Sequence, residues 1–215
     1  MQAYFDGIKK EVPAAWGDLF LDPEHTAVIT VDMSKGHLYF PEHDYLPQDE
    51  PIIPGVNRFL AEVRSLGMPV IHFVMDPQAA AYNQANPMSY GFVWPMSLGD
   101  VRLDMPAEAA GEISVDVRDG DFVFKSQTRL SLFLGTSLEI LLRNLGIRRV
   151  VLVGAMTDCN VLLAAFEASD RDFRVVVARD LCAGTKHLHS KALDIVSLHC
   201  ALVADSGDLL AYWKK

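Results

Sequence analysis

Positive charge is what this chain of 215 residues has too little of: 19 lysines and arginines stand against 28 acidic residues, a formal net charge of −9. A surface of that sign repels the phosphate backbone of nucleic acid and the anionic face of a membrane, so small molecules or other proteins are the expected partners. Long apolar runs are missing too. No stretch approaches the roughly 18 consecutive apolar residues of a membrane span. The opening MQAYFDGIKKEVPAAWGDLF carries acidic residues and a proline where a secretory signal needs an apolar run. Cysteine is scarce: Cys159, Cys182 and Cys200 form no C-x-x-C pair and leave an odd one out. That usage predicts reduced thiols and a cytoplasmic location, not a disulfide frame. Neither G-x-G-x-x-G nor G-x-x-x-x-G-K occurs, which removes the usual signals of a nucleotide site. Internal repeats, low-complexity tails and Pro/Gly linkers are also absent.

Half of the residues are hydrophobic. A chain of this length buries roughly 70% of the surface its unfolded form exposes, which predicts one domain over 1–215. Six short runs rich in β-branched residues read as buried strands: TAVITVD (26–32), PVIHFVM (69–75), DFVFK (121–125), RRVVLVG (148–154), FRVVVAR (173–179) and CALVAD (200–205). Amphipathic stretches at 54–67, 135–146, 158–172 and 186–198 alternate with them and read as helices. The first two begin at Pro or Thr/Ser and stop at Gly. This alternation predicts an α/β fold with a mainly parallel sheet and helices on both faces, its ligand site at the carboxyl ends of the strands. Residues 76–120 break the pattern and read as a lid or interface loop, in which Tyr90, Phe92 and Trp94 either line a pocket or pack on the body.

Three strand ends deliver polar groups: Asp32, Lys125, and the exit through Gly154 into a helix start at Thr157. With Thr157 as the N-cap, the first-turn amides and the positive end of the helix dipole favour a developing oxyanion. Cys159 and Asn160 follow, pointing about 100° apart on a helix. Cys159 shares a row with Leu162, Leu163 and Phe166, the stripe expected to press on the sheet, and Asn160 lies nearer the stripe's edge with Leu163, Ala164 and Glu167. The side-chain pattern therefore predicts Cys159 as a buried structural thiol.

The segments VITVDM, FVFKSQTRLSLFLGTSLEILLRNLGI, VVLVGAMTDCNV and FRVVVARDLCAG, in this order and spacing from about Thr26 to Asp205, resemble the isochorismatase-like hydrolases, also called the cysteine hydrolase superfamily. The resemblance implies a three-layer α/β/α fold and a homo-oligomer, dimer or tetramer. It implies Asp32 as general base, Lys125 as its electrostatic partner, Met156 and Thr157 beside the oxyanion, and a cis peptide between Ala155 and Met156. Cys159 and Trp94 join the candidate substrate contacts. The family pattern G-x-x-T-D-x-C-V reads G-A-M-T-D-C-N-V here, so Asn160 stands in the nucleophile's slot. A carboxamide neither titrates near neutral pH nor attacks carbonyls usefully, which excludes the thioester route at that position. Two readings follow. One is a hydrolase of amide, carbamoyl or enol-ether bonds that forms no covalent adduct, as isochorismatases proper do with a small residue in the slot. The other is an inactive member, natural or made by replacing Cys, that serves as a binding or scaffold protein. Retention of Asp32 and Lys125 favours the enzyme, because a buried ion pair is costly to desolvate.

Related nicotinamidases bind zinc through D-x-H after the second strand. This chain reads HFVMDPQ, with Gln78 two residues after Asp76. His187 and His189 are two apart on a helix and point to different faces, and His72 within a strand reads as a core histidine. Neither a metal nor a cofactor is expected.

Overall fold

The computed structural model describes residues 1–36, 52–76, 78, 109 and 111–215. Most of the proposed loop at 76–120, with Tyr90, Phe92 and Trp94, lies outside the described residues. The strands are β1 (Gln2–Phe5), β2 (Ile8–Glu11), β3 (Thr26–Val31), β4 (Val70–Met75), β5 (Phe122–Gln127), β6 (Arg149–Ala155), β7 (Arg174–Ala183) and β8 (Ala201–Ala204). The described helices are α1 (Ala14–Phe20), α2 (Ile53–Ser65), α3 (Leu138–Asn144), α4 (Leu162–Ser169), α5 (His189–His199) and α6 (Ser206–Trp213). None of the described helices is long and apolar enough to cross a membrane.

One eight-stranded sheet runs β2-β1-β8-β7-β6-β3-β4-β5. From β8 to β5 every neighbouring pair is parallel, and at the β8 edge β1 pairs antiparallel with both β8 and β2. The three-layer α/β/α expectation holds. All six strand runs and all four helices read from periodicity are present within a few residues at each end. The hairpin, α1 and α6 carry no comparable signal: β2 is exposed along its whole length, so no alternation marks it.

The centre of the sheet is apolar on both sides, with every residue of β3 and of β6 buried. One face packs under α3, α4 and α5 through Leu138, Leu142, Ala164, Ala165, Leu193 and Val196. The other packs under α2 and α6 through Val56, Phe59, Leu60, Val63 and Leu209. The α2 set follows i, i+3, i+4, i+7, one stripe of a helix, and burying each such side chain contributes roughly 1.5–3 kcal/mol.

The strand order places the site. From β3 the chain moves through α2 to β4 and β5 on one side. From β6 it moves through α4, β7 and α5 to β8 on the other. The connections leave β3 and β6 toward opposite faces, so the switch point of the sheet, where folds of this kind form their ligand crevice, falls between the carboxyl ends of these adjacent strands. Asp32 follows β3, and the Thr157 turn follows β6.

Candidate active site

Asp32 is the first residue beyond β3. Its N–H donates to the Phe73 carbonyl of β4 at 2.8 Å, which extends the ladder by one bond. Its φ is +47°, a left-handed conformation uncommon outside glycine, and the side chain is only 5% exposed. Ser34 beyond it pairs antiparallel with Ile113, so the segment that leads toward β5 returns over the end of β3. Across the crevice, Gly154 has φ +120°, and a Cβ there would stand 2.3 Å from the Val31 carbonyl oxygen. Only glycine lets β6 pass this close to β3 at the level of Asp32.

Beyond Gly154 the Ala155–Met156 peptide is cis, as the resemblance implied. The chain then enters a π-helical turn, Thr157–Val161, before α4. The Met156 carbonyl accepts from Val161 N at 3.0 Å, the five-residue bond of such a turn, and from Cys159 N at 3.0 Å. Two expectations change. Thr157 is not the cap: Met156 occupies that position without a side-chain capping bond, and Thr157 Oγ1 lies 2.9 Å from His189 Nδ1. The inward row is also a different one. Asn160, Val161, Ala164, Ala165 and Ala168 are buried, whereas Cys159 is only half-buried and belongs to neither core cluster. The row runs through alanines because a helix pressed close to a sheet takes small side chains at the contact, and Leu162 and Phe166 flank it instead. A stripe chosen by hydrophobic bulk is therefore rotated by about one residue.

This rotation aims Asn160 at the crevice. Its Nδ2 donates to Asp32 Oδ2 at 3.3 Å, with Asn160 3% exposed. The Cys159 thiol is pushed up to about 12, by burial first and then by the negative charges of Asp158 and Asp32. Such a thiol stays protonated and is a poor nucleophile.

Lys125 sits in a β-bulge. Phe124 pairs with Phe73 and Gln127 with Met75, so Lys125 and Ser126 together oppose Val74. Lys125 is exposed, at the level of Asp32 but two strands across, roughly 10 Å between backbones. The expectation of a buried acid–lysine pair is corrected in that respect, because an edge strand leaves its outward side chains in solvent. The Lys125 charge acts on Glu112, whose carboxyl is held below its usual range by the hydrogen-bonded ammonium of Lys35 first and by Lys125 to a lesser degree. Trp94 lies outside the described residues.

Zinc does not fit Asp76 and Gln78, the described residues that directly follow β4. Asp76 Oδ1 accepts from Gln78 N at 2.8 Å, which makes Asp76 the first residue of a turn, and Gln78 brings a carboxamide where the D-x-H pattern has an imidazole. Among the described residues, Asp22, Glu24 and His25 are close enough together to share an ion, but they precede β3, at the opposite end from Asp32, and Asp22 already accepts from Glu24 N and Arg149 Nη1.

The chain belongs to the isochorismatase family: the Isochorismatase domain matches residues 26–208. It is 28% identical to a maleamate amidohydrolase of Pseudomonas putida over 176 residues, 80% of this chain and 78% of that protein. It is 25% identical to nicotinamidase 3 of Arabidopsis thaliana over 186 residues, 85% and 86% of the two chains. A crystal structure of a cysteine hydrolase from Pseudomonas syringae pv. phaseolicola 1448A superposes with a TM-score of 0.73 at 16% identity, covering 90% of this chain and 94% of that one.

Proposed function

We propose that this chain hydrolyses small amides by direct attack of water, with Asp32 as the proton-transferring group and Asn160 as a hydrogen-bonding partner in place of a nucleophile. The observation that carries this reading is the Asn160 Nδ2 to Asp32 Oδ2 contact at 3.3 Å, buried between the ends of β3 and β6. An amide at 160 donates to the carboxylate and leaves its own carbonyl oxygen to hold a water or a substrate N–H. Family relatives named for maleamate and nicotinamide point to a C–N bond as the target.

In the proposed reaction Asp32 removes a proton from water as the water oxygen bonds to the substrate carbonyl carbon. The carbonyl becomes an oxyanion beside the backbone amides that open the 157–161 turn. As the oxyanion collapses, Asp32 returns the proton to the leaving nitrogen and the C–N bond breaks. The products are a carboxylic acid and an amine, and the enzyme returns to its starting state. Lys125 supplies positive potential at the mouth of the crevice and draws in anionic substrates.

Hydrolysis measured over a panel of amides, ureides and enol ethers tests the reading. The parent turns over at least one amide, Asp32→Asn loses that activity, and Lys125→Ala weakens it mainly through KM. If only Asn160→Cys shows turnover, the chain is an inactivated member, and the water mechanism is wrong.

A further inference from the structure

The turn that carries Asn160 is gripped from behind by groups the proposed chemistry leaves unused. Asp158 accepts from Thr185 twice, from N to Oδ1 and from Oγ1 to Oδ2, both at 2.8 Å. Thr157 Oγ1 meets His189 Nδ1 at 2.9 Å. Thr185 lies in the link from β7 into α5 and His189 is the first residue of α5, and both lie directly against the turn. A Cβ on Gly184 would stand 2.6 Å from Asp158 Oδ1 and 3.0 Å from Thr157 N. Helix α5 is in turn anchored in the core by Leu193 and Val196, so it gives the turn a fixed reference.

We propose that His189 is a positioning residue for the reactive turn: through the Thr157 hydroxyl it fixes the direction in which Asn160 meets Asp32. The proposal rests on the hydrolase reading only for its kinetic consequence. Thr185 fixes the turn at Asp158, and His189 fixes it one residue earlier. With both in place the backbone has no freedom to swing Asn160, two residues beyond Asp158, out of reach of the carboxylate.

The hold depends on protonation. In the neutral tautomer carrying hydrogen on Nε2, Nδ1 accepts from the Thr157 hydroxyl. The imidazolium donates from Nδ1 instead, and the threonine hydroxyl hydrogen must turn elsewhere. Burial favours the neutral ring, the charge of Arg179 on β7 acts in the same direction, and Asp158 on the turn opposes them. The neutral ring therefore accepts from Thr157 near neutral pH, and acidification reverses the direction of that bond and frees the hydroxyl hydrogen for another acceptor.

His189→Leu and His189→Asn test this, because asparagine offers a short polar side chain able to bond Thr157 and leucine does not. In His189→Leu, kcat falls roughly tenfold to a hundredfold while KM stays within about threefold, the signature of lost alignment. His189→Asn recovers most of kcat and loses the part of the acid limb that belongs to the imidazole. Thr157→Val reproduces the His189→Leu loss, and combining the two adds little further. A second readout stands apart from catalysis. The Asn160 side-chain amide signals in an NMR spectrum, assigned by their disappearance in Asn160→Ala, shift in His189→Leu and titrate with His189 in the parent. If His189→Leu leaves both kcat and the Asn160 signals at parent values, the proposal is overturned, whatever happens to Tm. Should no substrate be turned over, the hydrolase reading fails and the NMR arm alone decides: displaced Asn160 signals uphold the positioning role, and unmoved ones refute it.

Discussion

Two buried polar clusters grow from the same strand two residues apart, and they are built on opposite plans. At Thr30 the side chain faces His72, Oγ1 to Nδ1 at 2.9 Å. His72 Nε2 then meets Asp121 Oδ2 at 3.0 Å, and Asp121 accepts from Arg64 Nε and Nη2 at 3.1 and 2.7 Å and from Arg118 N at 2.9 Å. This chain of groups has the order hydroxyl, imidazole, carboxylate. It nevertheless lies inside the sheet and its covering layer, where Thr30 and His72 are fully buried and no reactant reaches them. At Asp32 the backbone is left-handed, the neighbouring strand is admitted only by a glycine, and the partner amide arrives from a π-turn. The first cluster closes the space between β4, α2 and the turn before β5. The second opens on the crevice where the chain reverses direction across the sheet. The order of residue types does not by itself mark a site, and what sets the second cluster apart is the left-handed backbone at Asp32.

The largest effect that separates the clusters is catalytic. Asp32→Ala is expected to lower kcat/KM by roughly 10²- to 10⁴-fold, the scale of a lost general base, with little change in Tm. Equal activity in that variant would move the chemistry elsewhere. The converse belongs to Asp121, whose side chain is 5% exposed and tied to Arg64. Asp121→Ala leaves Arg64 and His72 without their acceptor and is expected to cost about 3 kcal/mol in urea unfolding, while activity per folded molecule is retained. A loss below about 1 kcal/mol would mean that the network is slack.

Gly154→Ala joins the two comparisons. The added methyl would meet the Val31 carbonyl at 2.3 Å in a backbone of φ +120°, so β6 and β3 must part by a fraction of an ångström. A destabilisation of about 1–3 kcal/mol is expected, and because the gap opens between Asp32 and the Asn160 turn, activity falls with it. An unchanged Tm would show that the strands have more slack than their contact implies.

The architecture was legible where period and composition agree. The all-buried strands TAVITV and RVVLVGA and the Val56–Phe59–Leu60–Val63 stripe announce themselves by β-branched runs and by helical spacing. The hairpin was not legible, because IKKE is exposed and has no second face to mark. Within the site, Asp32 and the helix start were legible as polar groups at strand ends. The facing of Asn160 was not, since a π-turn shifts the register and alanines rather than leucines form the contact row. Lys125 could be placed at the end of β5, but its exposure depends on a bulge and on an edge position that no local pattern records. The sequence marks His189 only as a possible metal ligand beside His187. Its bond to Thr157 joins residues 32 apart in the sequence, a relation that periodicity cannot carry.

The smallest expected effect is acid sensitivity, which has one sign in both clusters and two windows, one set by the histidines and one by Asp121. Burial holds the His72 ring below its ordinary value, although Asp121 pulls the other way. The unfolded chain therefore takes up a proton near pH 6.5 that the folded chain refuses, and stability falls as pH drops below that point. Asp121 is also held low, by the hydrogen bond from Arg64 and then by those from Arg118 and His72, against the opposing effect of burial. Its contribution is present above the ordinary carboxylate range and is lost as pH falls below about 4. His189, lowered as well, adds to the first window with the same sign. Unfolding free energies measured at pH 7.5 and 5.5 should differ by at most about 1.4 kcal/mol per pH unit for each such histidine, and His72→Gln should remove its share. If the His72→Gln variant keeps the full pH slope of the parent, the buried imidazole is not what acid attacks, and the closed cluster is no more sensitive to protons than the open one.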